Sequence, residues 1–314
     1  MVKVQNKENK AQKTVQNKRL IVVVITVVAT LILVVSLYEF YPEQPSQPKA
    51  AIIDQLSSST LTSSSRYVNQ TFIDEAKALL YTHFPEVDYY SDNATVDNYK
   101  SLPSMGYKLL IWRAHSALDN AGFIAISTSE TNSTKDYPQY SNGELTLCNI
   151  RGDPRMYFAI TPKFITEVMS GRFENTVIIL MSCNGLREGY TKTAEAFIEK
   201  GAKVFISWDE WVETNDNDNA IELLLEHLIT ENNTINQAVG KIPEQPGPSH
   251  LSYYPRTAAD YRIQNYNQNQ TTASLTGVVR RKSNLRLRLT YLSRKTSQPL
   301  RNSQIQLIAE SIAC

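Results

Sequence analysis

The chain has 314 residues, 42% apolar and 20% charged, with a net charge of +1. That balance is ordinary for a folded protein and excludes a bulk electrostatic case for nucleic acid as partner. Charge is uneven along the chain: Lys3, Lys7, Lys10, Lys13, Lys18 and Arg19 stand against Glu8 in residues 1–19, and the stretch from Val279 onward is basic again.

Residues 20–38, LIVVVITVVATLILVVSLY, carry no charge, no Gly and no Pro. A helix rises about 1.5 Å per residue, so about 19 residues cover a hydrocarbon core of ~30 Å. The run predicts one transmembrane helix, with the membrane bilayer as a partner. Six positive charges precede it, and Glu39 and Glu43 follow before Lys49. The positive-inside rule therefore places residues 1–19 in the cytoplasm as a basic tail and everything after residue 38 outside. A cleaved signal peptide is the competing reading, but SLYEFYPEQPSQ offers no clean small-x-small site. Residues 39–49 form a linker, and the proline spacing of YPEQPSQPK makes it a tether.

From residue 50 strands and helices alternate. AAIIDQL reads as a strand ending at Asp54, followed by the Ser/Thr-rich loop LSSSTLTSSSR. NQTFIDEAKALLYTHF spaces Phe72, Ala76, Leu79 and Leu80 as a helix does. VDYYS is a second strand, TVDNYKSL a short helix stopped by Pro103, and residues 107–114 a third strand. GFIAIST and ELTLC read as the two strands of a hairpin. ITPKFITEVMSG is a helix with Thr161 as cap, Pro162 at its first position and Gly171 past its end. TVIILMSC is the fourth major strand, TAEAFIEKG a helix, AKVFISW the fifth strand, and NAIELLLEHLIT a helix capped by Asp218 or Asn219.

Alternation of this kind predicts an α/β three-layer sandwich with a mostly parallel central sheet over residues 50–250. Residues 251–314 read as loop followed by a basic β-hairpin or fragment of a small β-domain, because NLRLRLTYLS and SQIQLIAES alternate with period two.

In an open parallel sheet, reactive groups gather at the carboxyl ends of strands. Asp54, His115 and Cys183 each fall at such an end. A thiol attacks as thiolate, and free cysteine has a pKa of ~8.5, so an imidazole that takes its proton raises its reactivity. The oxyanion formed needs N–H donors, each worth roughly 3–4 kcal/mol. SCNG, directly after the strand, is a turn able to supply one. Of four histidines, His115 alone follows a buried strand as Cys183 does; His83 and His227 sit within helices and His250 in a proline-rich turn. The bland alternative is a buried structural cysteine. Cys148, Cys183 and Cys314 make no CxxC pair and no zinc spacing, though a Cys148–Cys183 disulfide stays open. ETNDNDNA lacks the Gly and terminal Glu of a calcium loop, and helix capping accounts for it. The reading calls for no metal and no cofactor.

LLIWRAHS and VIILMSCNG resemble the two motif segments of caspase-like cysteine peptidases, the caspase–hemoglobinase fold. ITPKFITEVM before the cysteine strand and AEAFIEKGAKVFISWDEWVETND after it are similar to the CHAT branch of that fold. The resemblance covers about residues 50 to 240. It implies Cys183 as nucleophile, His115 as catalytic base or acid, and the backbone N–H groups of Cys183 and Ser116 as oxyanion donors. It also implies a peptide or protein substrate. Two departures stand out. Ser116 occupies the position of the usual Gly, and His115 lies 68 residues before Cys183 rather than about 50. In metacaspase-like relatives an acid after the first strand lines a pocket for Arg or Lys, and Asp54 matches it, whereas the second acid position is Met181. Asp209 and Glu210 are alternative pocket acids, or all three are solvated loop carboxylates. Two functions follow: a membrane-anchored extracytoplasmic cysteine endopeptidase with basic-residue preference, or a catalytically decayed module of that fold used for binding or assembly.

Overall fold

The structure, a computed structural model, describes residues 23–24, 26–32, 47–61, 66–119, 121–133, 135–244 and 249–267. The chain divides into two units, Met1–Ser46 and Gln47–Cys314. In the first, Val23, Val24 and residues 26–32 are helical. No helix among the described residues is long and apolar enough to cross a membrane. Residues 20–22, 25 and 33–38 of the expected span lie outside them, as do 1–19, most of the linker and the two alternating segments beyond residue 267.

The second unit is mixed α/β. In chain order it runs β1 (Lys49–Asp54), α1 (Gln70–Tyr81), β2 (Val87–Tyr90), α2 (Val96–Ser101), β3 (Tyr107–Arg113), β4 (Ser116–Leu118) and β5 (Ile124–Thr131). It continues with α3 (Pro138–Ser141), β6 (Leu145–Asn149), β7 (Met156–Ile160), β8 (Val177–Met181), α4 (Lys192–Glu199), β9 (Val204–Trp208), α5 (Thr214–Leu225), α6 (Ile235–Gly240) and β10 (Leu251–Tyr254). The first sheet has the order β10-β9-β8-β3-β1-β2, parallel except for β10 against β9.

Side chains of a strand alternate between faces, and both faces of this sheet are apolar. Ile52, Leu109, Ile111, Val177, Ile179 and Ile206 pack with Phe72 and Leu80 of α1 and Ile221, Leu224 and Leu225 of α5. Ile53, Leu110, Trp112, Ile178, Leu180 and Phe205 pack with Tyr99 of α2 and Phe197 of α4 on the other. Continuous apolar strands in the sequence reflect this double burial.

The second sheet, order β4-β5-β7-β6, corrects the expected hairpin. β5 and β6 do not pair with each other; β7, MYFAI, lies between them and is antiparallel to both. Thr161 caps the next turn as expected, its Oγ1 accepting from the Phe164 N–H at 3.3 Å, but Phe164–Val168 winds as a π-helix. Gly171 past its end has φ 74°, a left-handed conformation that glycine adopts freely. α5 begins at Thr214, with Glu213 at its N-cap, so neither Asp218 nor Asn219 is the cap. Leu251–Tyr254 adds the sixth strand to the first sheet.

Candidate functional site

Register brings three strand ends to one rim. Asp54 of β1 pairs with Arg113 of β3, and Arg113 with Met181 of β8. Two residues past Arg113 stands His115; two past Met181 stands Cys183. Both line one cavity of about 430 Å³, together with Ser116, Ser182 and Asn184.

The turn after β8 is set by local chemistry. Asn184 has φ 60°, a left-handed conformation that Asn tolerates better than most residues. A Cβ on Gly185 would meet Ser207 Oγ at 2.2 Å, so glycine is required for β9 to pass this close. The Asn184 N–H donates to the Glu210 carbonyl at 3.0 Å and the Leu186 N–H to the Trp208 carbonyl at 2.9 Å. These bonds tie the Cys183 turn to the end of β9 and to the loop that follows it.

Cys183 and Cys148 are both free thiols, which answers the disulfide alternative. Cys183 Sγ donates to the Val212 carbonyl at 3.7 Å. Burial pushes its pKa up; the bond to Val212 opposes this and the charge of Glu213 adds to it. His115 Nε2 is buried and has no hydrogen-bond partner among the described residues. Burial lowers the His115 pKa to about 4, with the Arg113 charge adding to the effect. The ring sits edge-on to Tyr67, centroids 5.0 Å apart. At neutral pH the cavity thus holds a thiol and a neutral imidazole.

Ser116 begins β4 without a positive φ, so this serine needs no conformation reserved for glycine. Its Oγ donates to the Cys183 carbonyl, and Ser182 Oγ donates to Ser116 Oγ. The position where a glycine was expected is thus a clamp on the cysteine turn.

The three carboxylates named from sequence do not line the cavity. Asp54 is fully buried and bonded through Oδ1 to Arg113 Nη1 at 2.9 Å. Arg113, also fully buried, reaches Asp218 through Nε at 2.7 Å and Nη2 at 2.8 Å. The acid expected on the pocket wall therefore neutralises an arginine, because a buried guanidinium requires partners. Asp209 faces His250, with Oδ1 accepting from the His250 N–H at 2.7 Å and Oδ2 at 3.4 Å from Nδ1. Glu210 lies 4.0 Å from Arg187 Nε. Glu213 is the carboxylate that does line the cavity, with Arg66 and Arg151 as its cations.

Two positioning groups went unnoticed in the sequence. Gln55, fully buried, accepts from the His115 N–H at 3.1 Å through Oε1 and donates to the Thr128 carbonyl at 3.3 Å. Asn217 accepts from Trp208 Nε1 at 2.8 Å and lines the cavity. The signal for Gln55 was present: an amide directly after a buried strand must find partners for both of its ends. Comparison of the chain with family models and with curated proteins finds no match.

Proposed function

We propose that this chain is a membrane-anchored, extracytoplasmic cysteine endopeptidase of caspase-like fold, with Cys183 as nucleophile and His115 as proton carrier. The observation that carries the reading is that these two residues, from the ends of adjacent parallel strands, line one cavity. The imidazole is neutral above about pH 4, so its lone pair is vacant for the thiol proton, while the lowered pKa makes it a weaker base than free histidine. The backbone N–H groups of Ser116 and Cys183 serve as oxyanion donors in this reading. Residues 20–38 are its anchor.

A second reading is favoured by a specific observation. The thiol hydrogen-bonds Val212 rather than His115, and burial raises the Cys183 pKa. Those features suit a decayed site kept for binding. The two readings part on labelling of the full chain with a peptidyl-Arg chloromethyl ketone, an electrophile that needs both nucleophile and pocket. Under the peptidase reading, Cys183 reacts at least tenfold faster than Cys148, and His115→Ala removes the difference. Equal rates at the two thiols sink it. In the peptidase reading basic-residue specificity rests on Glu213, which lines the cavity along with Arg66 and Arg151. A preference for peptidyl-Arg over peptidyl-Ala that survives Glu213→Gln is the outcome against that part.

A further inference from the structure

We propose that the open edge of β4 is a strand-addition site that holds an extended peptide main chain beside Cys183; this rests on the peptidase reading above. β4 has three residues and stands at the edge of the second sheet. Ser116 lies opposite Ile126, and Leu118 opposite Ile124. The bonds that flank the strand fix which groups are spent. The Ser127 N–H donates to the His115 carbonyl at 2.9 Å, and the Asp119 N–H to the Phe123 carbonyl at 2.8 Å. In an antiparallel ladder this puts Ser116 and Leu118 in the non-hydrogen-bonded pairs. Ala117 alone turns its N–H and C=O toward β5. Ser116 and Leu118 turn theirs outward, to the side where no strand pairs among the described residues.

A row of outward N–H and C=O groups is a template for another strand. Shortness alone limits β4: Ser-Ala-Leu contains no Lys and no Pro, and Leu118 is 41% exposed. The edge is continuous with the site, since Ser116 and Ala117 line the cavity that holds His115 and Cys183. The Ser116 hydroxyl, donating to the Cys183 carbonyl, keeps that edge in register with the cysteine turn. Paired donors and acceptors repeating every second residue match one chemistry, an extended polypeptide backbone. A helix satisfies its own backbone groups and does not fit.

The test uses the full chain in detergent with denatured casein as substrate. Cleavage sites are read by mass spectrometry, and a hexapeptide spanning the best one is made with a single N-methyl group at each residue in turn. The expected result is a period of two: kcat/KM falls about tenfold at alternate residues on one side of the scissile bond and is unchanged between them. Leu118→Pro, which removes one outward N–H and with it one bond to a peptide carbonyl, lowers kcat/KM for the unmodified hexapeptide by a similar factor but keeps the loss at the facing residue, whose N–H donates to the Leu118 carbonyl that proline retains. A flat scan with normal cleavage overturns the edge site and leaves the dyad standing. No cleavage overturns the edge site as well. If Cys183 is then also alkylated by iodoacetamide no faster than Cys148, the peptidase reading falls with it.

Discussion

His115 is held by its backbone more firmly than by its ring. Gln55 grips its N–H, the Ser127 N–H grips its carbonyl, and Nε2 is left buried without a partner. Keeping that ring neutral is part of the fold's stability. Its pKa falls from an ordinary 6.5 to about 4 on burial, so the unfolded chain takes up this proton first. The contribution is complete above about pH 6.5 and is lost as pH falls toward 4; it amounts to about 3 kcal/mol. Urea midpoints measured from pH 7 to pH 4 are expected to fall more steeply in the native chain than in His115→Gln. Parallel slopes would mean that the ring is solvated and free to charge. Residue types at the rim were legible in the sequence because strand-terminal His and Cys are visible in a linear text. The pairing of Asp54 with Arg113 was not, since it depends on a carboxylate and a guanidinium 59 positions apart entering one dry space.

Elements meet at that ion network. Arg113 at the end of β3 bonds Asp54 at the end of β1, Asp218 within α5 and the Tyr67 carbonyl. Asn69, the N-cap of α1, donates to the same Asp218 at 3.0 Å. One guanidinium joins two strands and α5, and Asp218 passes the link on to the N-cap of α1. Arg113→Met would leave two buried carboxylates unpaired, and breaking a buried pair costs about 3–5 kcal/mol. The expected outcome is a large drop in the urea midpoint, with most of it recovered when Asp54→Asn and Asp218→Asn are added. A single substitution within about 0.5 kcal/mol of the native chain would show the network to be solvated. The sequence placed the α5 boundary late for the same reason. TNDNDN reads as a polar loop, yet Asn217 and Asp218 are buried because they face Trp208 and Arg113, not a lipid-like core. β7 was missed between β5 and β6 because a five-residue apolar run after RGDP carries no sign of which strand it will join.

At the scale of the whole molecule, the proposed anchor in residues 20–38 and the folded unit make separate claims that separate measurements check. The full chain is expected to stay with the membrane fraction through an alkaline carbonate wash, and a chain beginning at Gln47 to be released. Release of both would remove the anchor and leave the fold untouched. What the sequence determined by itself is the mixed α/β class, a mostly parallel main sheet and the rim on which His115 and Cys183 stand. Apolar runs, glycine stops and helical spacing are local properties, and the rule that strand ends gather reactive groups needs nothing more. Tertiary structure alone decided which acid faces the cavity, that β7 divides the expected hairpin, and that Ser116 clamps the cysteine turn instead of straining it. Those outcomes depend on register and on the pairing of buried charge, which are set by residues far apart in the chain and therefore have no period to read.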